Sequence, residues 1–239
     1  MPRRKFLSCI SLLCLSPSLL HAGWFVGGNF GIGETSQNTN QVIAYDTRLP
    51  MFNRYQINGN SNHSMLYGFY FGHSLNTFNS ISTNLALEGD LLVHNDFKGR
   101  TTSDVAGVPD TLRFKFAARS YLLTLRGSAS KSLNQAFSIS GQINLGLAVN
   151  RLQHFGETIV SPTAVVMQPF SAHSQTQLAF GAGVSFDYKL SNRSILSIGY
   201  RYINSGKAKL SNSPDQFNGG ELITKSLQTN LLSVSLRYS

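Results

Sequence analysis

An eight-stranded antiparallel transmembrane β-barrel, with long loops at one mouth and short turns at the other, is the all-β fold class that three observations predict. The first is the stretch 137–149, FSISGQINLGLAV, where large apolar residues or glycine hold every odd position and small or polar residues every even one. Successive side chains of a strand point to opposite faces, so one face is greasy and the other polar. The run covers thirteen residues, where a tilted strand crossing a bilayer needs roughly nine to eleven and a globular strand has about five or six. The second is charge, because only 13% of the residues are charged, against about 25% in typical soluble domains. A soluble β-sandwich would carry Lys and Glu on its water-facing positions; here the non-apolar face is mostly Ser, Asn, Gln, Gly and Ala, which suit a narrow lumen. The third is that connections alternate long and short along the chain.

The N-terminal stretch 1–22 has the layout of a cleaved secretory signal. Arg3, Arg4 and Lys5 precede an apolar run, and a cut site follows Ala22, although Leu20 sits where a small residue is preferred. The expected barrel domain is then 23–239. Both cysteines, Cys9 and Cys14, fall in the signal, so disulfide scaffolds, thiol catalysis and cysteine metal sites are excluded from the exported part. Export without cysteines fits a bacterial envelope. No later segment approaches the ~18 consecutive apolar residues of a spanning helix. Without the three signal bases, 17 basic residues face 11 acidic ones. That excess is spread over many segments rather than gathered in a run, which argues against nucleic acid and leaves a modest pull toward anionic headgroups or glycan phosphates.

The first strand, 24–33, is glycine-rich, which suits tight curvature in a barrel wall. A long polar connection, 34–62, follows. The second strand, 63–75, sets Met65, Tyr67, Phe69, Phe71 and Leu75 against Ser64, Gly68, Gly72 and Ser74. After a short connection the third, 81–93, turns Ile81, Leu85, Leu87 and Leu91 outward and Ser82, Asn84, Ala86, Glu88 and Asp90 inward. A longer connection, 95–110, leads to the fourth, 111–130. This one changes parity, with Phe114 and Phe116 on one face and Tyr121, Leu123 and Leu125 on the other, so a bulge is expected near 117–120. The fifth is the stretch 137–149, reached by a short turn and left by a long connection, 151–174. The sixth, 175–190, and seventh, 194–203, alternate cleanly across the tight turn 191–193. After 204–224 the eighth closes the chain, with Leu232, Val234, Leu236 and Tyr238 outward and Ser233, Ser235 and Arg237 inward. Long connections after odd strands and short ones after even strands read as an antiparallel barrel with its loops outside and its ends in the periplasm. Closure leaves no unpaired edge in lipid. Trp24, Phe137, Tyr188 and Tyr238 are expected at the turn-side interface, and Tyr67, Phe114 and Tyr202 at the loop side.

The segments GWFVGGNFGIG, LALEGD, SIGYRYI and LLSVSLRYS resemble the small eight-stranded outer-membrane barrels, of the OmpA-type transmembrane and opacity-like family, in Gram-negative bacteria. The resemblance spans about 23–239. It departs at the C-terminus, where Tyr238 is penultimate and the family usually ends on an aromatic residue. The resemblance implies a monomer in the outer membrane, in contact with its lipids and lipopolysaccharide. Host or environmental surface molecules would meet its loops.

The candidate site residues are charged positions on inner faces. Glu88 and Asp90 lie on the third strand, Arg201 and Arg237 on the seventh and eighth, and Arg119 and Arg126 are candidates from the fourth. An interior ion-pair network plugging the lumen is the reading that the resemblance implies, since an unpaired buried charge is very costly. A gate or ion path, and a catalytic carboxylate pair, are the alternatives. His63, His73, His94, His154 and His173 sit singly, without metal-ligand spacing, so neither metal nor cofactor is expected. Gly28, Gly31 and Gly33 match a phosphate loop only loosely and read as strand glycines. A lipid-modifying enzyme would need convergent His and Ser, but His63–Ser64 and His73–Ser74 are adjacent and face opposite sides. The expected role is therefore structural or surface-interactive rather than enzymatic. A narrow channel is the principal alternative, and a soluble exported sandwich the minor one.

Overall fold

The computed structural model describes residues 23–46, 49–57, 62–78, 81–103, 112–162, 170–213 and 220–239. The expected signal, 1–22, lies outside them. The strands are β1 (Trp24–Ser36), β2 (Thr39–Asp46), β3 (Leu49–Ile57), β4 (Asn62–Phe78), β5 (Ile81–Ser103), β6 (Leu112–Ser132), β7 (Phe137–Ile159), β8 (Phe170–Ser171), β9 (His173–Lys189), β10 (Ser194–Asn204), β11 (Lys209–Asn212), β12 (Leu222–Ile223) and β13 (Gln228–Tyr238). Among the described residues no helix is long and apolar enough to cross a membrane; the crossing is made by strands.

Eight strands close a ring in the order β1, β4, β5, β6, β7, β9, β10, β13 and back to β1, every pair antiparallel. Backbone polar groups in the wall thus find partners around the ring, as a lipid solvent demands. The seam between first and last strands runs from Val26↔Tyr238 to Ser36↔Gln228. At the turn mouth, Asn134 Oδ1 accepts the backbone N–H groups of Ala136 and Phe137 at 2.9 and 2.8 Å. Ser191 Oγ accepts that of Arg193 at 3.2 Å. Short polar side chains that mimic a backbone turn are why these connections are tight.

Across the membrane belt the greasy parity faces outward. Leu145 is 65% exposed on β7, Ile143 70%, and Phe69 on β4 72%, while Asn144 between the first two is 5% exposed. In water such a surface would be untenable; in hydrocarbon it is solvated. Trp24 stacks on Phe71 at 4.9 Å, and Phe137 lies 5.1 Å from Tyr188, at the turn-side edge of this belt.

Three expectations are corrected. The long polar connection after β1 contains the β2–β3 hairpin, and β3 adds to the top of β5 through Asn53↔Ser103 to Gln56↔Arg100. The wall strands also run further than expected, β5 and β7 over 23 residues each. The fourth barrel strand, β6, has no bulge at 117–120, for burial alternates without a break along it. Phe114 and Phe116 point inward like Leu122 and Thr124, and it is the surroundings that change. The extra residues sit on the neighbours, between His94 and Phe97 of β5 and opposite Lys115–Ala117 on β7, where His154 has φ 58°.

Above the membrane belt the inward residues are apolar. Ile43, Tyr55, Ile57, Phe97, Phe114 and Phe116 form one core with Phe170, Leu210, Leu222 and Leu227. Phe114 is 2% exposed, so it is not an interface aromatic as expected; its ring packs 5.5 Å from Tyr55. Each fully buried aromatic or aliphatic side chain stabilises by roughly 1.5–3 kcal/mol. The loop side is accordingly a folded headpiece continuous with the barrel.

Candidate functional site: a plugged lumen beneath a basic rim

The lumen is layered. At mid-height, β5 projects Glu88 and Asp90 inward, two residues apart on one face, and β10 projects Arg201 to meet both. Arg201 Nη1 donates to Glu88 Oε1 at 2.7 Å and Nη2 to Asp90 Oδ2 at 2.9 Å. All three are buried, with exposures of 0%, 5% and 3% in that chain order. Asn144 Nδ2 on β7 donates to Glu88 Oε2 at 2.6 Å, and Asn29 Nδ2 on β1 donates to both Glu88 Oε1 and Asp90 Oδ1. Charge-assisted bonds of this kind are roughly twice as strong as neutral ones. Glycine at residue 68 of β4 leaves room for this network, because a Cβ there would overlap Asp90 Oδ1 and Asn29 Oδ1 and push both side chains aside.

One layer above, Leu66, Leu92, Leu122, Ile203 and Leu231 close the bore with Ala148 and Ala179. Over this belt sits His94, whose Nδ1 lies 2.9 Å from both Thr35 Oγ1 and Ser64 Oγ, with Thr229 Oγ1 2.7 Å from Thr35 Oγ1. The aromatic core of the headpiece follows. Ions crossing the lumen would have to pass a salt-bridged plug and then two dry layers.

Below the plug a small chamber of about 30 Å³ opens among Arg126, Arg237, Asp187 and serines 128, 130, 140, 185 and 197. The guanidinium carbon of Arg126 lies 4.7 Å from the Tyr70 ring centre, and that of Arg237 5.2 Å from that of Phe25. Asp187 accepts from Ser140 Oγ and, at 3.0 Å, from Ser185 Oγ.

Of the expected network, then, Glu88, Asp90 and Arg201 come together, Arg126 and Arg237 share the lower chamber, and Arg119 does not belong. Arg119 is exposed on the outer wall, paired with Val93 and Arg151. The supposed bulge would have turned it inward; unbroken alternation turns it out. Asn29, Asn144 and Gly68 were missed, although Asn144 stands on the polar parity of the cleanest strand. Among the described residues no group of three or more His, Cys, Asp or Glu side chains could hold a metal. Ser64 is buried inward beneath an exposed His63, so that pair does not converge.

The outer wall changes character just above the lipid belt. The row Leu91–Tyr121–Val149 faces lipid; the next row of β6 and β7 carries Arg119 opposite Arg151. Higher, Lys98 lies opposite Lys115, and Arg100 opposite Arg113. All six are exposed, as is Arg54 on β3, next to this flank. The basic excess that is scattered along the chain is gathered here in space.

A closed eight-stranded ring with a lipid-facing belt and a filled lumen defines an outer-membrane β-barrel protein of a bacterium. The outer membrane protease OmpT from Escherichia coli shares the fold at a TM-score of 0.51 and 8% identity, over 90% of this chain and 96% of that one. Neisserial surface protein A aligns over the same shares at 0.48 and 13%, and the outer membrane protein OprG from Pseudomonas aeruginosa over 91% and 96% at 0.41 and 14%. No protein-family model and no curated sequence matches the chain.

Proposed function

We propose that this protein is a closed barrel whose work is done at the cell surface, anchoring a folded headpiece in the outer membrane in a structural or surface-contact role. One observation carries the reading: the bore is occupied by the Glu88–Arg201–Asp90 plug with an unbroken apolar layer over it. An eight-stranded barrel is just wide enough for its own side chains to fill. The headpiece supplies the second half, since a core of fully buried aromatics holds the outer strands in a fixed surface. Enzymatic function is not part of the proposal. Planar-bilayer recording of the purified full chain tests it. Wild-type protein is expected to give no stable conductance steps; regular steps would replace this reading with the narrow channel.

A further inference from the structure

We infer that the small chamber below the plug is a binding site for one hydrogen phosphate ion, admitted from the turn mouth. Two guanidiniums share it, Arg126 from β6 and Arg237 from β13, each half-buried. Tyr70 and Phe25, themselves an edge-on pair with ring centres 6.1 Å apart, brace one guanidinium each. A guanidinium carries five N–H donors and accepts nothing. Among the described residues neither guanidinium forms a salt bridge or donates a hydrogen bond to the protein, and Arg237 Nε is buried without an acceptor. The carboxylates of the plug are already held by Arg201, Asn29 and Asn144. The chamber's own carboxylate, Asp187, is engaged by serine hydroxyls and pairs with neither arginine. Charge enclosed without a partner is costly, and an anion between the two guanidiniums removes that cost.

Size and chemistry select the occupant. A volume of about 30 Å³ holds about two or three waters, at roughly 10–15 Å³ each, which is the room of one small oxyanion and not of a sugar or a nucleotide. Guanidiniums meet oxyanions with paired donors. Ser128 and Ser197 add hydroxyls that have no partner among the described residues. Asp187 supplies the discrimination. Each of its oxygens takes one serine hydroxyl and keeps capacity for a second donor. A carboxylate repels a fully ionised anion such as sulfate but accepts the O–H that hydrogen phosphate carries at neutral pH. The route is set by what lies above. The plug and the apolar layer over it close the bore on the loop side. In the other direction the chamber reaches Ser130, Ser140 and Asp187, a few residues from the tight turns 133–136 and 190–193, so solute enters from there.

The inference goes beyond the surface role proposed above and is read by ligand binding rather than conductance, so each can fail alone. The purified full chain in maltoside micelles is equilibrated with radiolabelled inorganic phosphate, and bound label is counted per folded chain, with sulfate as competitor at fixed ionic strength. Wild-type protein is expected to saturate at one phosphate per chain, with sulfate competing about tenfold or more weakly. The double variant Arg126→Gln, Arg237→Gln is expected to weaken binding by about tenfold or more. Ser197→Leu, which fills the chamber and leaves both guanidiniums, is expected to do the same. Asp187→Asn is expected to take sulfate as well as phosphate. The heat-modifiable gel shift of each variant separates lost binding from lost folding. Absence of saturable phosphate binding by the wild type would overturn the inference. So would undiminished binding in the folded double variant or in folded Ser197→Leu, or a preference for phosphate that survives Asp187→Asn. Sulfate displacing phosphate equally well from the wild type would overturn it too, as the mark of an adventitious ion only.

Discussion

The barrel and its headpiece are built on the same strands but turned inside out with respect to each other. Along β6, Leu123 and Leu125 face out and Thr124 and Arg126 face in; a few residues earlier Arg113 and Lys115 face out while Phe114 and Phe116 face in. No side chain changes direction between the two halves. What changes is the solvent beyond the wall, hydrocarbon for one half and water for the other. A reversal of hydrophobic parity within one strand therefore marks a membrane boundary as readily as a bulge. The boundary here falls between Tyr121 and Arg119.

That comparison is broken most severely from within. Replacing Arg201 by Ala leaves Glu88 and Asp90 buried without their cation, and the barrel should lose about 3–5 kcal/mol, measured by urea unfolding in lipid vesicles. Phe116→Ala should cost about 3–5 kcal/mol, but in the headpiece alone. Limited proteolysis of the outer strands should accelerate while the membrane-embedded fragment stays protected; uniform destabilisation of both halves would mean that they are one cooperative unit. The boundary itself is sharpened by two arginines on the same face of β6. Leu123→Arg should cost about 2–4 kcal/mol and Ala117→Arg between about zero and 1 kcal/mol; equal costs would misplace the water line. The smallest change has the opposite sign. Arg119→Glu, facing Arg151, should stabilise by about 0.2–1 kcal/mol, the gain shrinking as salt is raised.

How much of this was legible beforehand depends on which side of the boundary a residue lies. Leu145 and Asn144 announce lipid and lumen by strict alternation, and from such runs all eight wall strands could be placed. Glu88, Asp90 and Arg201 could be put on inner faces for the same reason, though not paired, because register around a ring is a long-range property. Phe114 and Phe116 obey a different rule, since above the membrane inward means apolar; read with the membrane rule, they called for a bulge that is not there and misdirected Arg119. The β2–β3 hairpin was hidden because its outer face mixes polar residues with Val42 and Phe52, and because β3 pairs with β5 across 44 to 50 residues of chain, as Gln56↔Arg100 and Asn53↔Ser103 show. Gly68 carries no signal of its own; only the crowd around Asp90 explains it.

The length of β5, β6 and β7, at 23, 21 and 23 residues, has a mechanical consequence. Because the same strands run from the submerged wall to the tip, with only local bulges at His94–Phe97 and opposite Lys115–Ala117, a tug on the outer hairpin arrives at the anchor as shear spread over many hydrogen bonds in parallel, rather than peeling them open singly. The emergent part behaves as a mast stepped into its hull, and what it touches is felt by the whole shell at once.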